Sequence, residues 1–503
     1  MICVLVALLS LPMEGQTKYH WAERSNPWNQ GRNINGLRTD SLTISYAELY
    51  SRFGRGGFRD VGDASSSWIA GALAQTHLHL EKMSMRGMFR FEQEQGEDMC
   101  GTMLLRPDNY PVNVVEFTPG RKIRQEYTYN GGLSYSFSDA WSIGGDMCFT
   151  SSNWAKLKDL RHTTYLLDLT VLPSLMYSTE TFHLGLSYIF HKNSESVWAK
   201  QVGTSAEEYK VFFDKGLLYG AYENWEGNGV HLKESGVGGF PIRELAHGAA
   251  LQFSWKDLYA DLEYVYGSGK AGEKDVVWFE FPSHRIETKL FYLLRRPHAH
   301  HHFRLNMIYD RCQNNENIYE KETEGGVTIA HKYASNRILG QESFQLEPDY
   351  EVLGKTWNLH CNLNFNHSNV VSSQKYPYIC TMSSLEMSAR LKGEVSIWRF
   401  DLGAGIGFSR QNVDETIRTG ADPGHVEAPV RVESYANQWL DYRRAPKLSG
   451  ELSLRFNFGK GIYAALSGDY LRALDVELDS AEHLNHIKDP NRWTAMVQFG
   501  YEF

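Results

Sequence analysis

The chain has 503 residues, with 51 basic and 60 acidic side chains and a formal net charge of −9. That balance excludes a general nucleic-acid surface, which needs a basic patch. No apolar run after the N-terminus is long enough for a transmembrane helix. Tyr, Phe and Trp number 28, 25 and 13, and Gly (44) greatly outnumbers Pro (15). Aromatic girdles and glycine-containing strands of a membrane barrel give that balance, and so does a large soluble β protein.

At the N-terminus, Met1 to Pro12 forms an apolar core followed by Met13-Glu14-Gly15. This predicts a secretory signal peptide over residues 1–15, although the usual basic start is missing. Residues 16–41 are polar with Trp21 and Trp28, and read as a periplasmic lead-in to a barrel over residues 42–503. Cys3 leaves with the signal. The remaining Cys100, Cys148, Cys312, Cys361 and Cys380 are an odd set, so at least one stays a free thiol. Isolated buried thiols are the favoured reading, with one disulfide among Cys100, Cys312 and Cys380 left open.

From Leu42 onward the chain alternates with period two. Tyr127, Tyr129, Leu133 and Tyr135 oppose Glu126, Thr128, Gly132 and Ser134; Leu448, Leu452 and Leu454 oppose Ser449, Glu451, Ser453 and Arg455. A dry sandwich core rejects such charges, whereas a water-filled barrel accepts them on its inner face. Short turns are expected near Glu81, Ser138–Ala140, Ser178–Glu180, Lys256–Asp257, Pro297–His301, Gly354–Lys355, Gly393 and Gly459–Gly461. Long polar intervals separate them near 93–121, 192–245, 268–283, 311–340, 410–446 and 473–490. The fold expected is all-β: a single transmembrane antiparallel barrel with short periplasmic turns and long extracellular loops. The count comes to about 16–18 strands, with 14 as the lower alternative. An inward strand is expected within Arg337–Leu346, and Leu217–Tyr222 suits part of a small external hairpin. The last stretch, Trp493 to Phe503, places Trp493, Ala495, Val497, Phe499, Tyr501 and Phe503 on one face, as a closing strand pairing with the first near Leu42–Tyr46.

The apolar N-terminal core, the repeated hairpins and Phe499-Gly500-Tyr501-Glu502-Phe503 resemble a Gram-negative outer-membrane β-barrel. Phe499, Tyr501 and Phe503 are similar to the terminal signal read by the barrel assembly machinery. Ser25-Asn26-Pro27-Trp28-Asn29-Gln30-Gly31 and the overall layout resemble an uncharacterised barrel family of Bacteroidota-type bacteria, often considered alongside nutrient uptake. The resemblance implies the cell outer membrane as address, with its lipids and the assembly machinery as partners. A surface lipoprotein or a TonB-dependent uptake complex is a further implied partner. It implies no reaction.

Candidate lumen-lining residues are Arg124, Glu126, Asp261, Glu263, Arg285, Glu287, Lys289, Arg390, Arg399, Asp401, Glu451 and Arg455, charges on the inward faces of the expected strands. At about eighteen strands a lumen is too wide for side chains alone to fill. Inward-folded loops or the N-terminal segment remain able to plug it. In Pro297-His298-Ala299-His300-His301-His302, closely spaced imidazoles suit a metal only if His298, His300 and His302 converge; a solvated turn is the favoured reading, and no cofactor is expected. No GxSxG, HExxH or Walker-type loop appears, so an enzyme is not expected. The leading function is a channel or transport component for a hydrophilic solute. The alternatives are a non-conducting accessory barrel docking a surface lipoprotein or larger complex, and, last, a membrane-embedded hydrolase.

Overall fold

The computed structural model describes residues 26–40, 43–158, 160–199, 210–224, 231–232, 239–272, 276–324, 327–375, 378–416, 430–475, 482–485 and 489–503. The expected signal peptide lies outside the described residues.

In chain order the strands are β1 (Ile44–Gly56), β2 (Ser66–His79), β3 (Met83–Thr102), β4 (Asn113–Ser136), β5 (Trp141–Lys156), β6 (His162–Ser178) and β7 (Phe182–Ala199). A short pair follows, β8 (Lys210–Asp214) and β9 (Gly220–Asn224). Then come β10 (Phe240–Trp255), β11 (Leu258–Gly272), β12 (Val277–Arg295), β13 (Ala299–Glu324), β14 (Val327–Gly354), β15 (Trp357–Lys375), β16 (Tyr378–Ile397) and β17 (Phe400–Thr416). Helix α1 (Val430–Arg444) precedes β18 (Lys447–Gly459), β19 (Ile462–Ala473) and β20 (Asn491–Glu502). All twenty strands share one antiparallel sheet. β8 and β9 stand off the wall, and β7 pairs directly with β10, so eighteen strands form the barrel. β1 closes it by pairing with both β2 and β20, from Tyr46↔Glu502 to Gly56↔Arg492. Eighteen is the upper end of the expected range and the fourteen-strand alternative is corrected: Ile44–Tyr46 belongs to wall strand β1, and the weakly patterned Arg337–Leu346 lies inside β14.

Alternation decides which face is which. On β10, Leu251 is 47% exposed while its neighbour Gln252 is fully buried. On β18, Leu452 is 68% exposed and Glu451 turns inward. Apolar side chains with nowhere else to go form a continuous outer face that suits lipid, and the wall strands pair in a closed antiparallel ladder. Strands such as β19 and β20, 12 residues each, match a tilted bilayer crossing.

Two expectations about connections fail. Much of the intervals read as loops at 268–283 and 311–340 is strand: β13 and β14, with 26 and 28 residues, run well past their neighbours. Polar side chains mislead there because a strand beyond the membrane has water on both faces. The turn expected at Gly393 lies instead at Trp398-Arg399, since Val395 and Ile397 continue the alternation of β16. Trp398 adopts φ 56°, as do Lys256 (54°) and Lys460 (54°) in equivalent turns. These tight hairpins place non-glycine residues in the left-handed region.

Candidate functional site

Of the residues expected as a periplasmic lead-in, 26–40 fold against the inward face of the barrel near its short-turn end, as a plug formed by the N-terminal segment would. Two 3-10 turns, Pro27–Gln30 and Ile34–Thr39, are each started by an asparagine cap: Asn26 accepts from the Trp28 amide (3.1 Å) and Asn33 from the Asn35 amide (3.1 Å). Pro27 takes the first helical position, where no amide donor is needed. Asn26 donates to Thr39 Oγ1 (2.7 Å) and Asp40 Oδ2 (2.9 Å), which folds the segment back on itself.

The wall is shaped to receive this plug. Trp28 donates its indole N–H to Ser254 (3.0 Å) and packs edge-on to Tyr259, ring centroids 5.2 Å apart. Asn35 donates to Ser174 (3.1 Å) and accepts from Ser134 (2.6 Å), Asn33 donates to the Leu175 carbonyl (3.0 Å), and Arg32 pairs with Glu263 (2.8 Å). Where the plug lies flush, the wall has glycine. A Cβ on Gly132 would sit 2.4 Å from Ile34 Cδ1, one on Gly144 2.4 Å from Ile34 Cγ2, and one on Gly185 2.6 Å from Asn33 Nδ2. Contacts that close are not tolerated, so three strands have given up side chains to one peptide.

At the long-loop end a cap fills the mouth from within. β8 pairs with the extension of β4, Val115 opposite Phe212. Met103, Val114, Phe213, Phe240, Phe279 and Phe281 belong to one buried cluster there. α1 continues the cap: Val432 and Ala436 pack with Phe117 and Phe212, and Trp439 meets the cluster of Leu339, Val370 and Met382. The interval 410–446, expected only as a long polar connection, contains this helix. The spacing of Val432, Tyr435, Ala436, Trp439 and Leu440 is the helical signal that could have placed α1. Buried charge accompanies the cap. Loss of water pushes the Asp214 carboxyl up to about 7, and the backbone N–H groups of Gly216 and Leu218 oppose the rise. Glu316 is held down at about 2: burial works against its charge, and the hydrogen bond to His231 and the Lys215 ammonium outweigh it.

Between plug and cap the sides of the lumen differ. The plug packs against β3–β7 and β10–β12, and among the described residues no hydrogen bond or ion pair joins it to the inward faces of β16–β20. There a cavity of about 320 Å³ is lined by Glu48, Lys392, Glu394, Asp401, Arg455 and Gln498 among others. A second, of about 270 Å³, lies farther toward the cap and shares Glu451 with the first. Gly403, Gly405 and Gly407 occupy consecutive inward positions of β17, so this stretch of wall projects no side chain.

The expected lumen residues are mostly where the alternation put them, but seldom as free charges. Arg124 pairs with Glu94 (2.9 Å) and Glu126 with Arg90 (3.4 Å). Asp261 accepts from Gln252 (3.1 Å) and Tyr259 (3.3 Å), and Glu263 holds the plug through Arg32. Glu287 lies between Arg285 (3.6 Å) and Lys289 (3.1 Å). Glu451 binds both Arg390 and Lys392. Asp401 accepts from Asn457 (3.2 Å), and Arg455 lies 3.7 Å from the Tyr463 ring centroid. Arg399 is the exception: it sits in the turn after β16, over Trp398, and does not line the lumen. Cross-strand pairing limits the desolvation cost of inward charge. Phe499, Tyr501 and Phe503 all point outward and are exposed to the lipid side.

The histidine run does not form a cluster. His298 is exposed in the turn, His301 faces outward to the Tyr350 hydroxyl (2.9 Å), and His302 is buried beside Glu351 (3.8 Å). Among the described residues no three His, Cys, Asp or Glu side chains converge on a metal position. The five cysteines after Cys3 are free thiols.

Several solved barrels match at low identity and low TM-score. Over 92% of this chain, the outer membrane transporter YddB from Escherichia coli matches at TM-score 0.42 and 9% identity, with 81% of that chain covered. The ferric preacinetobactin receptor BauA from Acinetobacter baumannii matches over the same share at 0.41 and 7%, with 80% covered. The copper transporter OprC gives 0.38 and 8%, with 81% covered. No curated protein matches. Residues 36–503 match a family of unknown function, and the chain belongs to that family, DUF6850.

Proposed function

We propose that this protein is an outer-membrane barrel that admits a hydrophilic solute along the inner faces of β16–β20, beside the N-terminal plug. One observation carries the reading. The plug is fitted to one side of the lumen, while the other side keeps two adjoining cavities lined in part by charged side chains, and a glycine-lined strand. The outward apolar face supports a membrane setting, and in that reading the short turns lie on the periplasmic side. Lining charges of both signs, mostly paired, suit solutes that exchange hydrogen bonds with the wall. No catalytic group is assigned.

The dense cap favours a second reading, a non-conducting accessory barrel whose loops dock a surface lipoprotein or uptake complex. Single-channel recording in a planar bilayer separates the two. Wild-type protein is expected to give open steps. Gly405→Trp, at a position where a Cβ meets nothing nearer than 3.4 Å, should reduce them by filling the lane. Silence from wild-type protein, or steps indifferent to Gly405→Trp, would sink the passage along β17.

A further inference from the structure

A third cavity, of about 300 Å³, lies between the plug and the wall strands β11–β15, and no part of the passage along β16–β20 uses it. Its wall side chains come from five adjacent strands: Tyr259, then Lys289 and Phe291, then Arg304 and Asn306, then Glu347 and Asp349, then His360 and Asn362. Pro27 and Gly31 of the plug form the opposite side. The registers Arg304↔Asp349, Asn306↔Glu347 and Asp349↔Asn362 set the polar groups side by side. This is a built surface, because the side chains brace one another. Arg304 binds Asp349 (2.9 Å) and Glu351 (2.9 Å), His360 contacts Asp349, and Asn306 donates to Glu347 (3.2 Å).

The chemistry of the lining selects a ligand class. An anion entering here meets the carboxylates of Glu347 and Asp349. A cation meets Lys289 and Arg304. Neither sign finds a uniform counter-charge, and an ion stripped of water without one is expelled. A neutral molecule carrying several hydroxyls fares differently, since each hydroxyl both donates and accepts. Carboxylates, amides, guanidinium and ammonium then all find use on the same ligand, while Pro27 on the plug side offers an apolar contact to its C–H face. The volume is at the small end for small-molecule pockets.

We infer that the cavity between the plug and β11–β15 is a binding site for a neutral sugar unit, built from Asn306, Glu347, Asp349, His360 and Asn362. The inference rests on the reading of the lumen as a solute path, and names the solute class that meets the plug. Pro27 and Gly31 line the same space, so a bound sugar would touch the plug.

The test uses the full chain purified in detergent, with saturation-transfer NMR against maltose, cellobiose, lactose and xylobiose. Glucuronate, glucosamine and dialanine serve as acidic, basic and zwitterionic comparisons. At least one neutral disaccharide should give a signal, and Asn362→Leu and Glu347→Leu should each raise its Kd tenfold or more. Heat-modifiable migration of both variants establishes that the barrel is intact, and a variant that fails this check is replaced by Asn306→Leu. The inference is overturned if no neutral disaccharide binds, if a charged probe binds more tightly than all of them, or if intact variants keep the wild-type Kd. Planar-bilayer recording on the same preparation keeps the two readings apart. Open steps without sugar binding defeat the site alone, and sugar binding without open steps supports the site while defeating the passage.

Discussion

Trp28→Ala isolates the plug from the rest of the barrel, because the indole is its main apolar anchor. Trp28 is 3% exposed, and a buried tryptophan covers roughly 150–250 Å². At about 25 cal/mol per Å² that is an upper limit of roughly 4–6 kcal/mol for docking, and the bond to Ser254 adds on the order of 1 kcal/mol. Truncation to alanine should therefore cost the docked state ~3–5 kcal/mol. With ~1.4 kcal/mol per tenfold, the ratio of docked to released plug falls by roughly a hundredfold to several thousandfold. Hydrogen exchange reads this directly. The amides of Asn35 and Gly36, bonded to Asn33 in the docked turn, should lose protection by that factor, while wall amides in β5 stay protected. Channel steps, if present in wild type, should grow. Unchanged protection at Asn35 and Gly36 would refute the anchor. Loss of protection throughout β5 would mean that the plug is part of the barrel's stability and not a separable body.

Other outcomes are equally specific. Gly132→Val should cost the docked plug ~1–3 kcal/mol by crowding Ile34, whereas Gly131→Val, on the outer face with nothing within 4 Å of its Cβ, should leave plug exchange at the wild-type rate. The cap should be pH-sensitive. The Asp214 carboxyl, pushed up to about 7 against an ordinary value of 3.8, stabilises the folded cap fully below about pH 4 and loses that contribution as pH rises to 7. Exchange in β8 and β9, corrected for intrinsic rates, should therefore be faster at pH 8 than at pH 5, and Asp214→Asn should flatten the difference. Equal protection at both pH values in wild type would count against a buried, protonated Asp214. Replacing Tyr501 or Phe503 with Asp should lower the amount of barrel recovered in the membrane fraction, since both rings face lipid; undiminished recovery argues against a role for them in assembly.

The wall was legible because a membrane barrel writes its two solvents into every second residue. Leu452 and Glu451 can be sorted without knowing any neighbour. Turn positions were legible where glycine or a polar cluster marked them, and failed at Trp398-Arg399, where backbone geometry admits residues that carry no turn signature. Arg399 went astray with it. The cap and the plug were harder for a different reason. Val432, Ala436 and Leu440 repeat at a helical interval, yet the helix is enclosed by barrel and is identified as covering the mouth only once the wall is built. Asn26, Asn33 and Asn35 look like loop residues by composition. The wall contacts of Asn35 depend on Ser134 and Ser174, 99 and 139 residues away in the chain, and that of Trp28 on Ser254. The inward charges were found, but their pairing was not, because register between strands is a property of the closed sheet.

The three wall glycines also act as a gauge. Gly132 and Gly144 sit on β4 and β5, whose registers place Ser134 opposite Gly144 and Gly132 opposite Asp146. A slip of two residues between these strands keeps every side chain on its proper face, so the membrane would not detect it. It would, however, carry Gly144 about 7 Å along the strand and set Ser142 or Asp146 against Ile34. Gly185 on β7 adds the same demand two strands farther on. A plug that seats only when glycines on β4, β5 and β7 coincide therefore reports that the sheet around it is in correct register, information that the lipid-facing alternation cannot supply.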